Sequence, residues 1–210
     1  FQLTYIPAPH TIYENVYKLE ANSYIEFDCS RNNITLKKIK EPEHSNQKSY
    51  QNISFKEAKV ITKDLIFDSV RSRSISDVPI GTFLSGGVDS SIVSYCLSKE
   101  LDKKIDTFSI GFQKKSFDES DKARTVSKLI NSNHHEYIIS DKDLIDDANN
   151  ILLNYDEPFA DPSALPTFLV SKYTSNNVKV ALTGDGGDEL FGGYNKYYMG
   201  KINNIYSKYI

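Results

Sequence analysis

The sequence predicts an α/β fold, a three-layer arrangement around a parallel sheet, preceded by a β-hairpin segment. Two observations carry this. From Ser54 onward, apolar strand-like runs alternate with segments of helical periodicity, as in successive βαβ units. The glycines are also crowded: none occurs in residues 1–80, and seven of the ten lie within 86–87 and 184–193. Glycine permits positive φ and close approach of other atoms. Both clusters follow an apolar run, so both fall at strand carboxyl ends, where open α/β sheets hold ligands.

The elements follow in order. Tyr5-Ile6-Pro7-Ala8-Pro9 cannot be a central strand or a helix interior. Ser23 to Asp28 alternates, Ser30 to Asn33 offers a turn, and Ile34-Thr35-Leu36 alternates again, which predicts a hairpin. Residues 41–52 are polar and read as a linker. Ser54 with Glu57 has the capping-box form and opens a helix to about Ser72, with Phe55, Ala58, Ile61 and Leu65 at helical spacing. Val78 to Leu84 reads as a buried strand. A second helix begins near Asp89, with a stripe of Ile92, Val93, Cys96, Leu97 and Leu101. Ile105 to Phe112 is the next strand. Ser116 with Glu119 has a second capping-box form, ahead of a helix with Ala123, Val126 and Ile130. His135 to Ile139 is a third strand, and Ser140 with Asp143 opens a helix through Leu144, Ala148 and Leu152. Ser163 to Tyr173 reads as helix, and Val178 to Leu182 as a fourth strand.

Bulk properties narrow the class. Of 210 residues, 39% are hydrophobic and 25% charged, as in soluble globular proteins. The formal net charge of −3 gives no electrostatic reason to expect a nucleic-acid partner. Apolar runs are too short to span a membrane, and no signal peptide is visible. Two cysteines, Cys29 and Cys96, do not make a secreted disulfide scaffold, so a cytoplasmic location is expected. The chain starts at Phe1 and ends at Ile210 with no obvious stop, which leads us to expect a piece of a longer protein.

The first glycine loop reads FLSGGVDSSIV from Phe83 to Val93. A strand, glycine loop and helix start together present backbone N–H groups and a helix dipole that favour an anion. Ser85, Gly86, Gly87, Ser90 and Ser91 could supply donors. No Lys follows the glycines, so this is not a Walker A loop, and it is not G-x-G-x-x-G. Asp89 would repel a phosphate unless a cation such as Mg²⁺ intervened. It would also suit a plain helix start, and spacing alone leaves both readings open. The second cluster, TGDGGDELFGGY from Thr183 to Tyr194, sets three carboxylates among glycines without EF-hand spacing. His134-His135, with no cysteine ligands nearby, reads as packing or hydrogen bonding rather than a metal site.

SGGVDSS, about a hundred residues, then TGDGGDELFGGY resembles the asparagine synthetase (glutamine-hydrolysing) family. Phe108 to Phe112, Asp118-Glu119, His134-His135-Glu136, Asp156 to Asp161 and Tyr5 to Ile12 resemble its pattern in the same order. The resemblance implies a sheet of the adenine-nucleotide alpha-hydrolase-like type, with a PP-loop ATP pyrophosphatase site. Residues 1–40 would end a glutaminase domain, and 53–210 would form the ATP-binding part of a truncated synthetase domain. ATP and Mg²⁺ would activate a carboxylate, aspartate first of all, as an acyl-adenylate, and glutamine-derived ammonia would attack it. A homodimer of the full-length protein is an expectation of the same kind. By this resemblance Ser85, Gly86, Gly87, Asp89, Ser90 and Ser91 form the pyrophosphate loop. Phe83, Leu84, Ile110, Thr183 and Gly184 complete the ATP site, Asp89 and Asp188 hold Mg²⁺, and Asp185 deprotonates ammonia. Asp185 stands where some members carry a longer glutamate. Asp156, Glu157 and Asp161 are expected near the acceptor site.

Three readings stay open. One is this ligase, or a related amidotransferase acting on a sugar or peptide carboxylate. Another is a different pyrophosphatase-type ligase, which would share SGGxDS but not GDGGDELFGGY. The third is a non-catalytic nucleotide-binding module. The family's glutaminase nucleophile is a cysteine at the mature N-terminus, which internal Cys29 does not match, and its catalytic lysine falls beyond residue 210. The 210 residues alone are therefore expected to form no AMP in the presence of glutamine, ATP and aspartate. Detection of glutamine-dependent AMP by coupled assay would contradict this.

Overall fold

A computed structural model describes residues 3–39, 50, 52–101, 103–114 and 118–207. Strands β1 (Ser23–Asp28) and β2 (Asn33–Lys38) form the hairpin, paired from Ser23 with Lys38 to Asp28 with Asn33. The Asp28 carboxylate closes its turn by accepting from Ser30 N at 2.9 Å and Arg31 N at 3.2 Å. Ile25, Phe27, Ile34 and Leu36 are all exposed, so this two-stranded unit has no core of its own. The predicted linker lies almost wholly outside the described residues.

Helix α1 (Phe55–Arg73) starts at the expected capping box: Glu57 N donates to Ser54 Oγ at 3.2 Å, and Ser54 N to the Glu57 carboxylate at 2.8 Å. Its expected apolar stripe is only partly right. Phe55 and Leu65 are exposed, and the helix packs through Ile66, Phe67 and Val70 near its end. Then come β3 (Ile80–Phe83), α2 (Val88–Glu100), β4 (Asp106–Phe112), α3 (Ser120–Ile130) and β5 (Asn133–Ile139). They are followed by α4 (Asp141–Leu153), α5 (Ala164–Thr174) and β6 (Val180–Leu182). Two helices not anticipated from sequence, α6 (Gly187–Phe191) and α7 (Asn195–Tyr206), close the described chain.

The expected second capping box does not start α3. Ser116 lies outside the described residues. It is the Asp118 carboxylate that accepts from Ser120 N at 3.2 Å and Ser120 Oγ at 3.0 Å. A carboxylate beside a helix N-terminus satisfies orphan amides and suits the dipole. The Ser140–Asp143 box does form at the start of α4. On that helix Ile151 is buried and Leu152 exposed, one position away from expectation.

The main sheet has the order β5-β4-β3-β6, with every neighbouring pair parallel. Side chains alternate between its faces. On one face Ile80, Cys96, Leu97 and Ile105 join Val70 in a core under α1 and α2. On the other, Phe108 and Val170 pack with Phe83, Ile110 and Tyr137 beneath α5. The three layers are thus helices, sheet and helix. No helix among the described residues is long and apolar enough to cross a membrane.

Strand order matters more than strand count. The chain runs from β3 outward to β4 and β5, then returns to add β6 on the other side of β3. The crevice between β3 and β6 is where the winding reverses, the ligand position of open α/β sheets. Leu97 is fully buried, and Leu97→Ala should destabilise the fold by about 2–5 kcal/mol. Exposed Leu153→Ala should stay within about 0.5 kcal/mol of the parent. Urea unfolding of both variants checks this contrast.

Candidate functional site

The pairing of Thr82 with Leu182 fixes the site. Each strand leads within three residues into a glycine cluster, so the two loops emerge side by side. They touch. A Cβ built on Gly184 would lie 2.7 Å from Ser90 N, and one on Gly187 would lie 2.5 Å from the Asp89 carboxyl carbon. Side chains at these two positions would push the loops apart.

The first loop is braced from within. Ser85 Oγ and Ser90 Oγ are 2.9 Å apart, and Ser85 N donates to Ser90 Oγ at 3.2 Å. Gly87 N donates to Ser85 Oγ at 3.2 Å. The Ser90 and Ser91 hydroxyls donate to Gly87 O at 3.3 and 2.6 Å. These hydroxyls therefore shape the loop. Below them, Ser94 Oγ lies 2.7 Å from Thr82 Oγ1 in a fully buried pair that ties α2 to β3. Gly87 is the N-cap of α2 and brings no side chain to its first amides. Gly86 has φ +81°, and a Cβ there would sit 2.5 Å from Lys122 Cβ and 2.6 Å from Ala123 N. The loop is thus seated on the first turn of α3, which Asp118 pins to the end of β4 through Phe112 N at 3.4 Å.

In the second loop, Thr183 Oγ1 donates to the Asp185 carboxylate at 2.9 Å and accepts from Asp185 N at 3.3 Å. The Asp188 carboxylate lies against Gly193, whose amide donates to Asp188 O at 2.9 Å. Tyr194 OH donates to the Glu189 carboxylate at 2.7 Å, which pushes the phenol up to about 12 and lowers the carboxyl.

The residues expected at the site divide between two hollows. Phe83, Leu84, Ser85 and Ile110 line a cavity of about 220 Å³ under α5. Asp89, Thr183, Gly184 and Asp185 line one of about 840 Å³ bounded by α1, α2 and Phe191. Gly86, Gly87, Ser90, Ser91 and Asp188 line neither; of these, Ser90 meets Gly184 where the two loops touch. Sequence reading did not assign Glu119, Pro166 and Thr167 to the site; they line the smaller cavity together with Phe108, Ser109, Phe112 and Val170. Pro166 lies in the first turn of α5, where proline is tolerated, and no local pattern marks it as a cavity residue.

The paired histidines sit on opposite faces of β5. His134 Nδ1 is 2.9 Å from Thr107 Oγ1, and Nε2 is 3.2 Å from Ser109 Oγ. His135 stacks on Phe108 and pairs with Asp106 at 2.9 Å. Among the described residues no group of three His, Cys, Asp or Glu side chains is placed to hold a metal. The loops offer a carboxylate each, Asp89 against Gly187 and Asp188 directly after it. Carboxylates are the ligand type that Mg²⁺ takes beside phosphate oxygens and water.

Burial lowers the His134 pKa below its ordinary 6.5. The unfolded chain therefore takes up a proton near pH 6.5 that the native state refuses until the pH is lower. Stability from this group is complete above 6.5 and is lost as pH falls from there through the folded value. In urea unfolding at a series of pH values, His134→Gln should flatten the decline just below pH 6.5. An unchanged slope would contradict the assignment.

A family model described as asparagine synthase matches residues 62–209. The chain is 39% identical over 212 residues to a Methanocaldococcus jannaschii protein named "Putative asparagine synthetase (glutamine-hydrolyzing) 2", covering 98% of this chain and 40% of that protein. It is 37% identical over 193 residues to "Asparagine synthetase (glutamine-hydrolyzing) 1" of Bacillus subtilis, covering 92% of this chain and 30% of that one. Among solved structures, an NH3-dependent NAD synthetase from Campylobacter jejuni aligns with a TM-score of 0.41 at 17% identity, over 68% of this chain and 62% of the other. The family match spans both glycine loops and the four strands that place them, and the chain belongs to the asparagine synthase family.

Proposed function

We propose that the chain forms the ATP-binding part of a ligase that activates a carboxylate as an acyl-adenylate, which ammonia then attacks. The observation that carries this is the direct packing of Gly184 and Gly187 on Asp89 and Ser90. It turns two loops, each ambiguous alone, into one site at the reversal point of the sheet. The family match supports the reaction class. The names of the two relatives support aspartate as acceptor and glutamine as the source of ammonia, with a sugar or peptide carboxylate as the alternative acceptor.

Each residue has a physical task in this reading. Breaking ATP between its α- and β-phosphates requires donors on the departing pyrophosphate. The amides of Gly86 and the start of α2 supply them, joined by Gly87 N–H once it exchanges its bond to Ser85 Oγ for the phosphate, and the hydroxyls of Ser90 and Ser91 hold the loop in shape. Phe83, Ile110, Thr183 and Gly184 surround the adenosine and its ribose, with Leu84 lining the smaller cavity beside Phe83. Asp89 and Asp188 would hold Mg²⁺, which offsets the charge gathering on the pyrophosphate. Asp185 takes the proton from the attacking ammonia, and Thr183 fixes the orientation of its carboxylate by hydrogen bonding. The two free cysteines, exposed Cys29 and buried Cys96, suit a reducing cytoplasm.

The test is ATP–pyrophosphate exchange by the intact enzyme with its carboxylate acceptor. Asp89→Asn keeps the side-chain volume and removes the charge. It should lower exchange by roughly a hundredfold or more and raise the Mg²⁺ concentration required. Exchange at the parent rate would sink the catalytic reading in favour of a nucleotide-binding module.

A further inference from the structure

From Leu152 to Ser163 the chain is exposed at every residue but one, Glu157. What covers Glu157 is the N-terminal segment. Lys18 is ion-paired with it and also donates to Ile6 O at 2.6 Å. Ala160 N donates to Thr4 O at 2.9 Å, and Tyr13 OH reaches Asp156 O at 3.4 Å. The segment is itself folded back, with Lys18 N donating to Pro9 O at 2.9 Å and Thr11 Oγ1 to Val16 O at 2.8 Å. It therefore grips the loop at three points. Immediately downstream, the Asp161 carboxylate accepts from Ser163 N and Oγ at 2.8 and 2.7 Å. Helix α5 follows and gives Pro166, Thr167 and Val170 to the smaller cavity.

We propose that Lys18 and Glu157 are positioning residues, through which the N-terminal segment fixes the 156–161 loop and the first turn of α5 as a wall of the nucleotide cleft. This rests on the nucleotide reading of that cleft. The side chains of Lys18 and Glu157 are only 32% and 21% exposed, so the pair is partly shielded from water. Charge-assisted bonds are stronger than neutral ones, and removing one partner leaves the other charge without its counterpart in a half-buried place. Lys18 joins three points that are far apart in sequence: its own position, the carbonyl of Ile6 and the carboxylate of Glu157. The other two grips are single neutral hydrogen bonds, from Ala160 N and Tyr13 OH, so the charged pair is the strongest of the three.

The experiment compares the parent, Lys18→Met, Glu157→Gln, the double variant and Lys18→Arg by hydrogen exchange and by calorimetric titration with ATP and Mg²⁺. Exchange across residues 155–163 should rise roughly tenfold in Lys18→Met, with peptides from α2 and β4 unchanged. ATP affinity should weaken roughly threefold to tenfold. The double variant should be no worse than either single one, and Lys18→Arg, which keeps both donors, should match the parent. Unchanged loop exchange, or a rise spread over the whole protein, overturns the proposal. So does a loosened loop with unchanged ATP affinity, which would reduce the pair to a structural tie. Absence of ATP binding by the parent refutes the nucleotide reading instead, and the exchange data then judge the hold on the loop separately.

Discussion

The contact between Gly184, Gly187 and the Asp89–Ser90 turn is the constraint on which the rest of the site depends. It requires β6 to lie beside β3 with Leu182 opposite Thr82. It also requires that two residues lack side chains, since a Cβ at either would stand 2.5–2.7 Å from the opposing loop. Contacts that short are repulsive, and a densely packed structure relaxes only by moving an element. The two loops are therefore coupled in position, and a displacement of one is felt at the other. Asp89 owes its place to this arrangement: its carboxylate is held against Gly187, one residue from Asp188.

The support beneath the first loop is polar. Thr82 and Ser94 bond between β3 and α2. Thr107 and Ser109 bond to His134 on the face covered by α3, Ser132 bonds to Thr107, and Arg124 joins Glu136 at 2.8 Å. Asp118 connects the end of β4 to α3, and α3 in turn seats Gly86. Hydrogen-bonded buried groups hold one geometry where an apolar contact would allow several. This places a stiff bracket behind the loop, while the opposite face of the sheet is filled by the apolar Phe108–Val170 cluster. The cavity under α5 opens between these two kinds of support.

Local physics was readable in the sequence. The Ser54–Glu57 and Ser140–Asp143 boxes formed as their spacing required, because both partners lie within one helical turn. The hairpin and the four parallel strands came from patterning alone. What could not be read depends on distant residues. Nothing local says that β6 returns beside β3, and that placement alone makes the acidic loop and the serine loop one site. The α1 stripe was only partly right: Phe55 and Leu65 are exposed, and the helix packs through Ile66, Phe67 and Val70 toward its end. At α3 the capping falls to Asp118, as a carboxylate two residues before Ser120 can reach its amide directly. The split of the expected ATP residues between two cavities was also hidden, since it follows from which side of each loop faces α5.

The central claim is that both loops grip one nucleotide. A crystal structure of the intact enzyme with Mg²⁺ and a non-hydrolysable ATP analogue tests it most directly. The account predicts terminal phosphates on the amides of Gly86, Gly87 and the first turn of α2, a metal ion between the Asp89 and Asp188 carboxylates, and the base in the cavity lined by Phe83 and Ile110. Phosphates bound away from the start of α2, or an analogue held by one loop with the other turned aside, would contradict it.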